Sequence, residues 1–471
     1  MKKRATYEIL ERDYLDRQIL SLIGACRHSI EKMSDSKLLF SYGNALENVA
    51  PIDTIRLCKE ICFQNNFGST TSNLLINTVY EAERRVCGSG FVALVAFLEF
   101  FPHFLKASKF SDKTLAVNLE KRINSDLKQL VRSSRRSSSF ENFNFLHSFV
   151  RNQLVESAAK IALEAAGSAG NISVDKFDQE ELRIEKVSGN RFLIKLDSNF
   201  LGSIPQKEIK LFQPKVLVVD GIIENFAEIE SLIQSAHREN SQLAIFARGF
   251  NEKISSSFAS NFSAKIVNIM PFVVNYDEHG VNQLVDIAIC SGTDIFSSIK
   301  GDLIENIAWK SLPVVEEILV DRSFVTMFNS KTLENCSKQR AKLVKDLEEC
   351  NKIANDEVRE MKFKILNQRI NSMTTSNTSI KIGKYFKDFQ NVYHDRLCKS
   401  VEIFNETSRW GLIELKNISS ESEMLQSLVS TFRHLGIENI SPRMLDTGVK
   451  IAVSNVKNTL SVGAWLKNEA A

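Results

Sequence analysis

Glycine and proline are scarce in this chain. It has 19 glycines and 7 prolines in 471 residues, about 4% glycine against a usual ~7%. Little is available for glycine-rich, phosphate-cradling loops, and long helices with plain strands are expected. Charge of one sign is lacking too. Sixty Lys and Arg face 57 Asp and Glu, for a net charge of +3. No broad basic field argues for nucleic acid, and no acidic tail argues for disorder. Long hydrophobic runs are missing. The greasiest stretch, residues 91–105, is broken by Glu99, Pro102 and His103. It falls short of the ~18 clean apolar residues of a membrane span and predicts a buried helix. The N-terminus, Met-Lys-Lys-Arg-Ala, lacks the apolar core of a signal peptide. Eight cysteines lie at positions 26, 58, 62, 87, 290, 336, 350 and 398, with no CxxC pair. They are expected to be reduced thiols of a cytoplasmic protein. Cys58 and Cys62 share a helix face with no histidine near them, so core packing is expected there and no metal site.

What is present is periodicity. Residues 7–132 read as helices. One apolar stripe runs through Leu10, Tyr14, Ile19, Leu22 and Ile23, and another through Ile52, Ile55, Leu57, Cys58, Ile61 and Cys62. A polar turn then leads to a helix through Leu74, Leu75, Val79 and Ala82, with Ser69-Thr70-Thr71 as N-cap chemistry. The basic, serine-rich stretch 132–139 is a candidate linker or phosphorylation site, and residues 143–166 return to helix. The period then changes. Residues 172–174 and 182–184 alternate as strands do, and 214–220 form a short β-branched run. Helix 225–238, strand 243–247, a helix from Lys253, strand 265–269, helix 284–290 and strand 294–296 follow in turn. Strands alternating with helices predict a parallel α/β core. Residues 330–470 are again mostly helical, so the outer segments are expected to fold together around an inserted centre.

Four blocks carry a resemblance. They are Asp220 with Ile223-Glu-Asn-Phe226 and strand Leu243-Ala-Ile-Phe-Ala247, and Leu284-Val-Asp-Ile-Ala-Ile-Cys-Ser-Gly-Thr293. The others are Asn367-Gln-Arg369-Ile370 with Ile380-Lys-Ile-Gly383, and Gly436-Ile437 with Ser441-Pro442. In this order they resemble segments of the bacterial-type (group I, GroEL-like) chaperonins. The resemblance implies a multidomain α + α/β subunit. A helical equatorial domain would span 1–132 and 405–471, a small hinge domain 133–187 and 371–404, and an apical α/β domain 188–370. It also implies ATP and magnesium as cofactors, non-native or specific client polypeptides, a co-chaperonin, and a homo-oligomeric or mixed ring, without nucleic acid or membrane.

The residues themselves fit those sites unevenly. ATP hydrolysis needs a phosphate cradle, a magnesium ligand and a group that orients water. The family's Asp-Gly-Thr-Thr-Thr turn matches Phe67-Gly68-Ser69-Thr70-Thr71. The glycine, hydroxyls and helix end remain, so Gly68, Ser69, Thr70 and Thr71 are candidate nucleotide contacts; a well-capped helix would look the same. The aspartate has become Phe67, which offers magnesium no oxygen. The family's other phosphate loop is replaced by Lys32-Met-Ser-Asp-Ser-Lys-Leu38. A later glycine-rich loop is reduced to Trp410-Gly411-Leu412, with Gly411 a candidate nucleotide contact and Trp410 a candidate filler. The aspartate before Pro442 is Ser441. By resemblance, Asp395 in Tyr393-His-Asp395-Arg-Leu397 is the catalytic aspartate that promotes water attack. It lies opposite the stripe Phe386, Tyr393, Leu397 and Phe404, although an exposed helix aspartate is also ordinary surface. The family's apolar client-gripping positions match Glu230, Ile233, Ser255, Ala259 and Ser260. Ile233 and Ala259 are the candidate substrate contacts, and only Ile233 is large. Each large side chain lost forfeits about 1.5–3 kcal/mol of possible burial. Phe226, Phe250, Phe258 and Phe262 offer a different apolar surface or a core.

Two functions follow. One is an ATP-dependent folding chaperone of chaperonin type with degraded sites; the other is an ATP-silent paralogue acting as a binding or scaffold subunit. A small-molecule enzyme is disfavoured, because no GxGxxG, no GxxxxGK[ST] and no His/Cys/Ser constellation occurs.

Overall fold

The computed structural model describes all residues except 1–6, 35–37, 43–44, 110–112, 133–134, 136, 167–170, 177–178, 203–208, 267, 322–323, 351–352, 354–355, 385–388, 416–422, 462–463 and 469–471. Part of the stretch 132–139, and Phe386 of the expected stripe, lie outside the described residues. The chain forms two compact units. A mainly helical unit comprises Met1–Ala162, Val174–Ile184 and Ile380–Ala471; an α/β unit comprises Leu163–Ser173 and Glu185–Ser379.

In the helical unit both ends of the chain meet. Tyr7–Glu11 pairs antiparallel with Ala464–Asn468. The apolar helix Ser89–Lys109 is the core element, with residues 91–98 all at most 1% exposed. It meets the last helix, Pro442–Ser461, where that helix carries Gly448. A methyl on Gly448 would come within 2.6 Å of Val92 Cβ and 2.8 Å of the Ser89 carbonyl oxygen. The absence of a side chain is what lets these helices touch. The window 89–106 is apolar and long enough for a membrane span but is 78% buried, as a core helix is. Cys58 and Cys62 are buried, in keeping with a packing role.

The expectation that residues 7–132 are helices is corrected at the strand Tyr7–Glu11 and at a β-hairpin, Leu39–Tyr42 with Ala45–Asn48. The helix expected over 143–166 is two helices, Ser139–Val150 and Gln153–Ala166. Arg151 at φ 50° ends the first one, a left-handed conformation no α-helix continues through.

The α/β unit is built on a five-stranded sheet in the order Ile295–Phe296, Lys215–Val219, Leu243–Ala247, Ile269–Val273, Lys195–Leu196. The first four strands are parallel and the last is antiparallel. Leu243–Ala247 is buried at every position, as the short apolar run predicts for a strand covered on both faces. A second, antiparallel sheet runs Asn190–Phe192, Val325–Phe328, Glu317–Val320, Ile209–Phe212.

Two boundaries differ from expectation. The strand expected at 265–269 lies at Ile269–Val273, because Lys265 takes φ 56° and the buried apolar run continues past Pro271. Proline survives there because the neighbouring Lys195–Leu196 strand pairs only with Phe272 and Val273, so no ladder bond needs the missing N–H. The helix expected over 225–238 begins at Glu230, after a 3-10 turn at Phe226–Glu228.

Candidate functional site

The turn before Ser69 is set by two local rules. Helix Thr54–Gln64 ends with Asn66 at φ 51°. The Phe67 amide donates to the Cys62 carbonyl at 3.2 Å, and the Asn66 amide to the Phe63 carbonyl at 3.3 Å. This is the paired closure of a Schellman motif, with asparagine in the left-handed position. Gly68 is then the N-cap of helix Ser69–Arg85, with no side-chain cap bond. Gly68 and Ser69 are exposed, Thr70 is half-buried and Thr71 is buried. A Cβ on Gly68 would meet nothing within 4 Å, so open space lies at a helix N-terminus whose first amides need acceptors. That fits a phosphate group.

Asp395 and its neighbours sit on helix Gln390–Trp410. The Asp395 side chain is 63% exposed and pairs with Lys399 at 2.9 Å, so water reaches it. Lys399 also donates to the Ile52 carbonyl at 3.2 Å. Burial works against its charge, but Asp395 and Glu83 raise its pKa above the ordinary lysine value. Glu83 in turn accepts from the Gly88 and Gly90 amides, each at 3.0 Å, capping helix Ser89–Lys109. Burial pushes the Glu83 pKa up despite these donors and Lys399.

One turn away, Arg396 is 1% exposed. Its guanidinium donates to both Asp53 oxygens at 3.0 and 2.7 Å, to Glu47 at 3.1 Å and to the Asn48 carbonyl at 2.9 Å. The Tyr393 hydroxyl donates to the other Glu47 oxygen at 2.6 Å. Burial first, then this carboxylate, raises the phenol to about 12. Tyr393, Arg396 and Lys399 thus form one polar face that clamps the 47–53 segment. Sequence reasoning missed this cluster. The signal was an arginine beside the apolar stripe, a position where a lone charge must find a partner.

Gly411 follows the same helix at φ 78° and ψ −166°, a region essentially reserved for glycine. It is buried, and its amide donates to the Thr407 carbonyl at 2.9 Å. Backbone geometry alone therefore requires this glycine. Arg443 stacks over the Trp410 ring at 5.6 Å, and Ser441 is fully buried. Among the described residues no hydrogen bond joins residues 68–71 to Asp395 or Gly411.

The donor set does not fit magnesium. Phe67 and Ser441 supply no carboxylate, and Asp53 and Glu47 are engaged by Arg396. Among the described residues no three His, Cys, Asp or Glu side chains gather as a metal site.

In the α/β unit two of the five positions expected to grip polypeptide are closed. Ala259 is 1% exposed, and Ser255 is fully buried with its hydroxyl on Asp197. Neither offers a surface. Ile233 is half-buried, while Glu230 and Ser260 are exposed. Phe258 is core, with Phe250 against it at 6.4 Å, and Phe262 packs on Phe200 at 5.7 Å. Phe226 is 42% exposed and is the open member of that set.

No protein-family model matches the chain. The chain is similar to the GroEL chaperonin of Mycoplasma genitalium, at 24% identity over 185 residues, 39% of this chain and 34% of that protein. It is 26% identical over 172 residues to that of Mycoplasma pneumoniae, covering 36% and 32%. The chloroplastic RuBisCO large subunit-binding protein subunit alpha of Pisum sativum matches at 22% over 279 residues, 58% of this chain and 45% of the relative. The matches thus span about a third to under a half of these relatives. Among solved structures, the chaperonin gp146 from the bacteriophage EL 2 (Pseudomonas aeruginosa), crystallised in the presence of ATP-BeFx, superposes with a TM-score of 0.71. The match is 11% identical and covers 98% of this chain and 99% of that one; a second crystal form gives 0.64. The sequence relatives make the chain similar to bacterial-type chaperonins over part of their length, and its fold is that of a chaperonin subunit.

Proposed function

We propose that the chain assists protein folding as a chaperonin-type subunit, in the manner of ATP-dependent ring chaperonins but with a reduced nucleotide site and a reduced client groove. The observation that carries this proposal is the fold match over 98% of the chain. In this proposal residues 1–132 and 405–471 form the equatorial part, 133–187 and 371–404 the hinge, and 188–370 the apical part. The amides and hydroxyls at residues 68–71 receive phosphate, and Asp395 orients the attacking water. Clients meet Ile233 and the exposed Phe226. Ring assembly, as one kind of subunit or mixed, a co-chaperonin and a cytoplasmic setting belong to the same proposal.

The test combines three measurements on purified full-length protein: electron micrographs, suppression of aggregation of a denatured client enzyme, and ATP turnover with magnesium. Rings that suppress aggregation are expected. Turnover is expected to fall at least tenfold in Asp395→Ala. A monomer that leaves aggregation unchanged would overturn the folding role. Aggregation suppression with no turnover would overturn only the part assigned to Gly68–Thr71 and Asp395.

A further inference from the structure

Cys290 lies in the last turn of helix Glu278–Ser291, and Cys336 in the first turn of helix Leu333–Cys350. Both are 1% exposed, and their sulfur atoms stand 3.4 Å apart. The backbone around Cys290 is held firmly. Thr332 Oγ1 donates to its carbonyl at 2.6 Å, and Asn329 Nδ2 donates to the same carbonyl and to that of Ser291, each at 3.3 Å. Gly292 at φ 78° closes the helix with its amide on the Ala288 carbonyl. Met373 Sδ lies 3.8 Å from Cys290 Sγ, and Asn190 Oδ1 3.7 Å from Cys336 Sγ. The pair belongs to no metal cluster among the described residues. A disulfide needs a separation of about 2.05 Å, so a closure of roughly 1.4 Å between two anchored helix ends completes the bond.

We infer that Cys290 and Cys336 are a disulfide-forming modification site, oxidised by a low-molecular-weight disulfide such as oxidised glutathione when local opening of these buried helix ends admits it. Cys336 reacts first. Side-chain hydrogen bonding with Cys290 lowers its pKa, whereas burial raises that of Cys290. The Cys336 thiolate attacks one sulfur of the small disulfide and expels one thiolate, leaving a mixed disulfide. Cys290 sulfur, losing its proton, then attacks Cys336 sulfur and expels the second thiolate. The two cysteines lose two electrons and two protons, and the small disulfide becomes two thiols.

The test equilibrates the full chain with oxidised or reduced glutathione, alkylates the remaining thiols in denaturant and maps the peptides without reduction. A peptide joining Cys290 to Cys336 is expected, with two of the eight thiols lost. Recovery of both cysteines alkylated, or of a lasting glutathione adduct on either without the cross-link, overturns the site. Cys290→Ala should keep a glutathione adduct on Cys336; its absence there overturns the order of attack. Wild-type mapping decides the question even if a variant fails to fold.

Discussion

Replacing Arg396 by methionine removes the cation from a buried carboxylate pair and keeps most of the side-chain volume. Asp53 is 7% exposed and Glu47 15% exposed at their side chains. Asp53 keeps one donor, the Ala50 amide at 3.1 Å, and Glu47 keeps Tyr393 and Asn152 at 2.6 and 3.0 Å. Neither keeps a positive partner in the cluster. Breaking a buried ion pair from one side costs about 3–5 kcal/mol, because the charge left behind stays desolvated. That is a large share of a usual 5–15 kcal/mol stability. In a domain of this size it corresponds to a fall in melting temperature of roughly 6–20 °C. Urea unfolding followed by circular dichroism should show a lower midpoint at unchanged slope. Converting the whole cluster, Arg396→Met with Asp53→Asn and Glu47→Gln, should recover much of the loss, since no buried charge then remains. A single variant that costs under about 1 kcal/mol would refute the reasoning. A triple variant less stable than the single one would refute it equally.

Gly448→Ala places a methyl against Val92 and the Ser89 carbonyl and should cost about 1–3 kcal/mol by overpacking, read as a lower urea midpoint; wild-type stability would mean that the helices separate freely there. Glu141 accepts from Arg135 at 2.6 Å and caps helix Ser139–Val150 through Ser138. The Arg135 hydrogen bond, followed by those from Ser138, lowers its pKa to about 2. A depressed folded-state pKa gives stability present above the unfolded value near 4.5 and lost as pH falls towards 2. The protection factor of the amides at residues 139–142, their exchange corrected for its intrinsic pH dependence, should therefore fall across that window in wild type and stay constant in Glu141→Gln. Ile233→Glu should weaken client capture by the full chain without changing its melting temperature, measured by aggregation suppression; an unchanged effect would place the client surface elsewhere.

The layout of helical ends around an α/β centre was legible in the sequence because it rests on local periodicity. A buried run such as residues 243–247 has a single strand solution once helices flank it. The antiparallel sheet was not legible. Its strands are three or four residues long, and Asn190–Phe192 pairs with Val325–Phe328 across more than a hundred residues, which no local window samples. The strand Ile269–Val273 passes through Pro271, which is possible because the neighbour that would need its N–H stops short, a fact no local window shows.

The site divides along the same line. Residues 68–71 were readable because a cap is a short-range motif, and Asn66 and Gly68 satisfy it with bonds no longer than five residues. Asp395 is singled out only by the resemblance. What surrounds it depends on Arg396 reaching Asp53, 343 residues away. The cluster also bears on the chemistry. Two carboxylates, Asp53 and Glu47, meet at Arg396, the residue after Asp395, where a divalent cation could find oxygen, and a fixed guanidinium holds them instead. Arginine cannot be deprotonated in a protein, so this charge cannot be titrated away, and a cation could bind there only by displacing four hydrogen bonds at once. If turnover is found, magnesium must arrive held chiefly by the phosphates of its nucleotide. Activity in wild type should then saturate with the magnesium–nucleotide complex, and magnesium alone should leave the melting temperature unchanged. Stabilisation by magnesium without nucleotide would show that the Arg396 clamp opens.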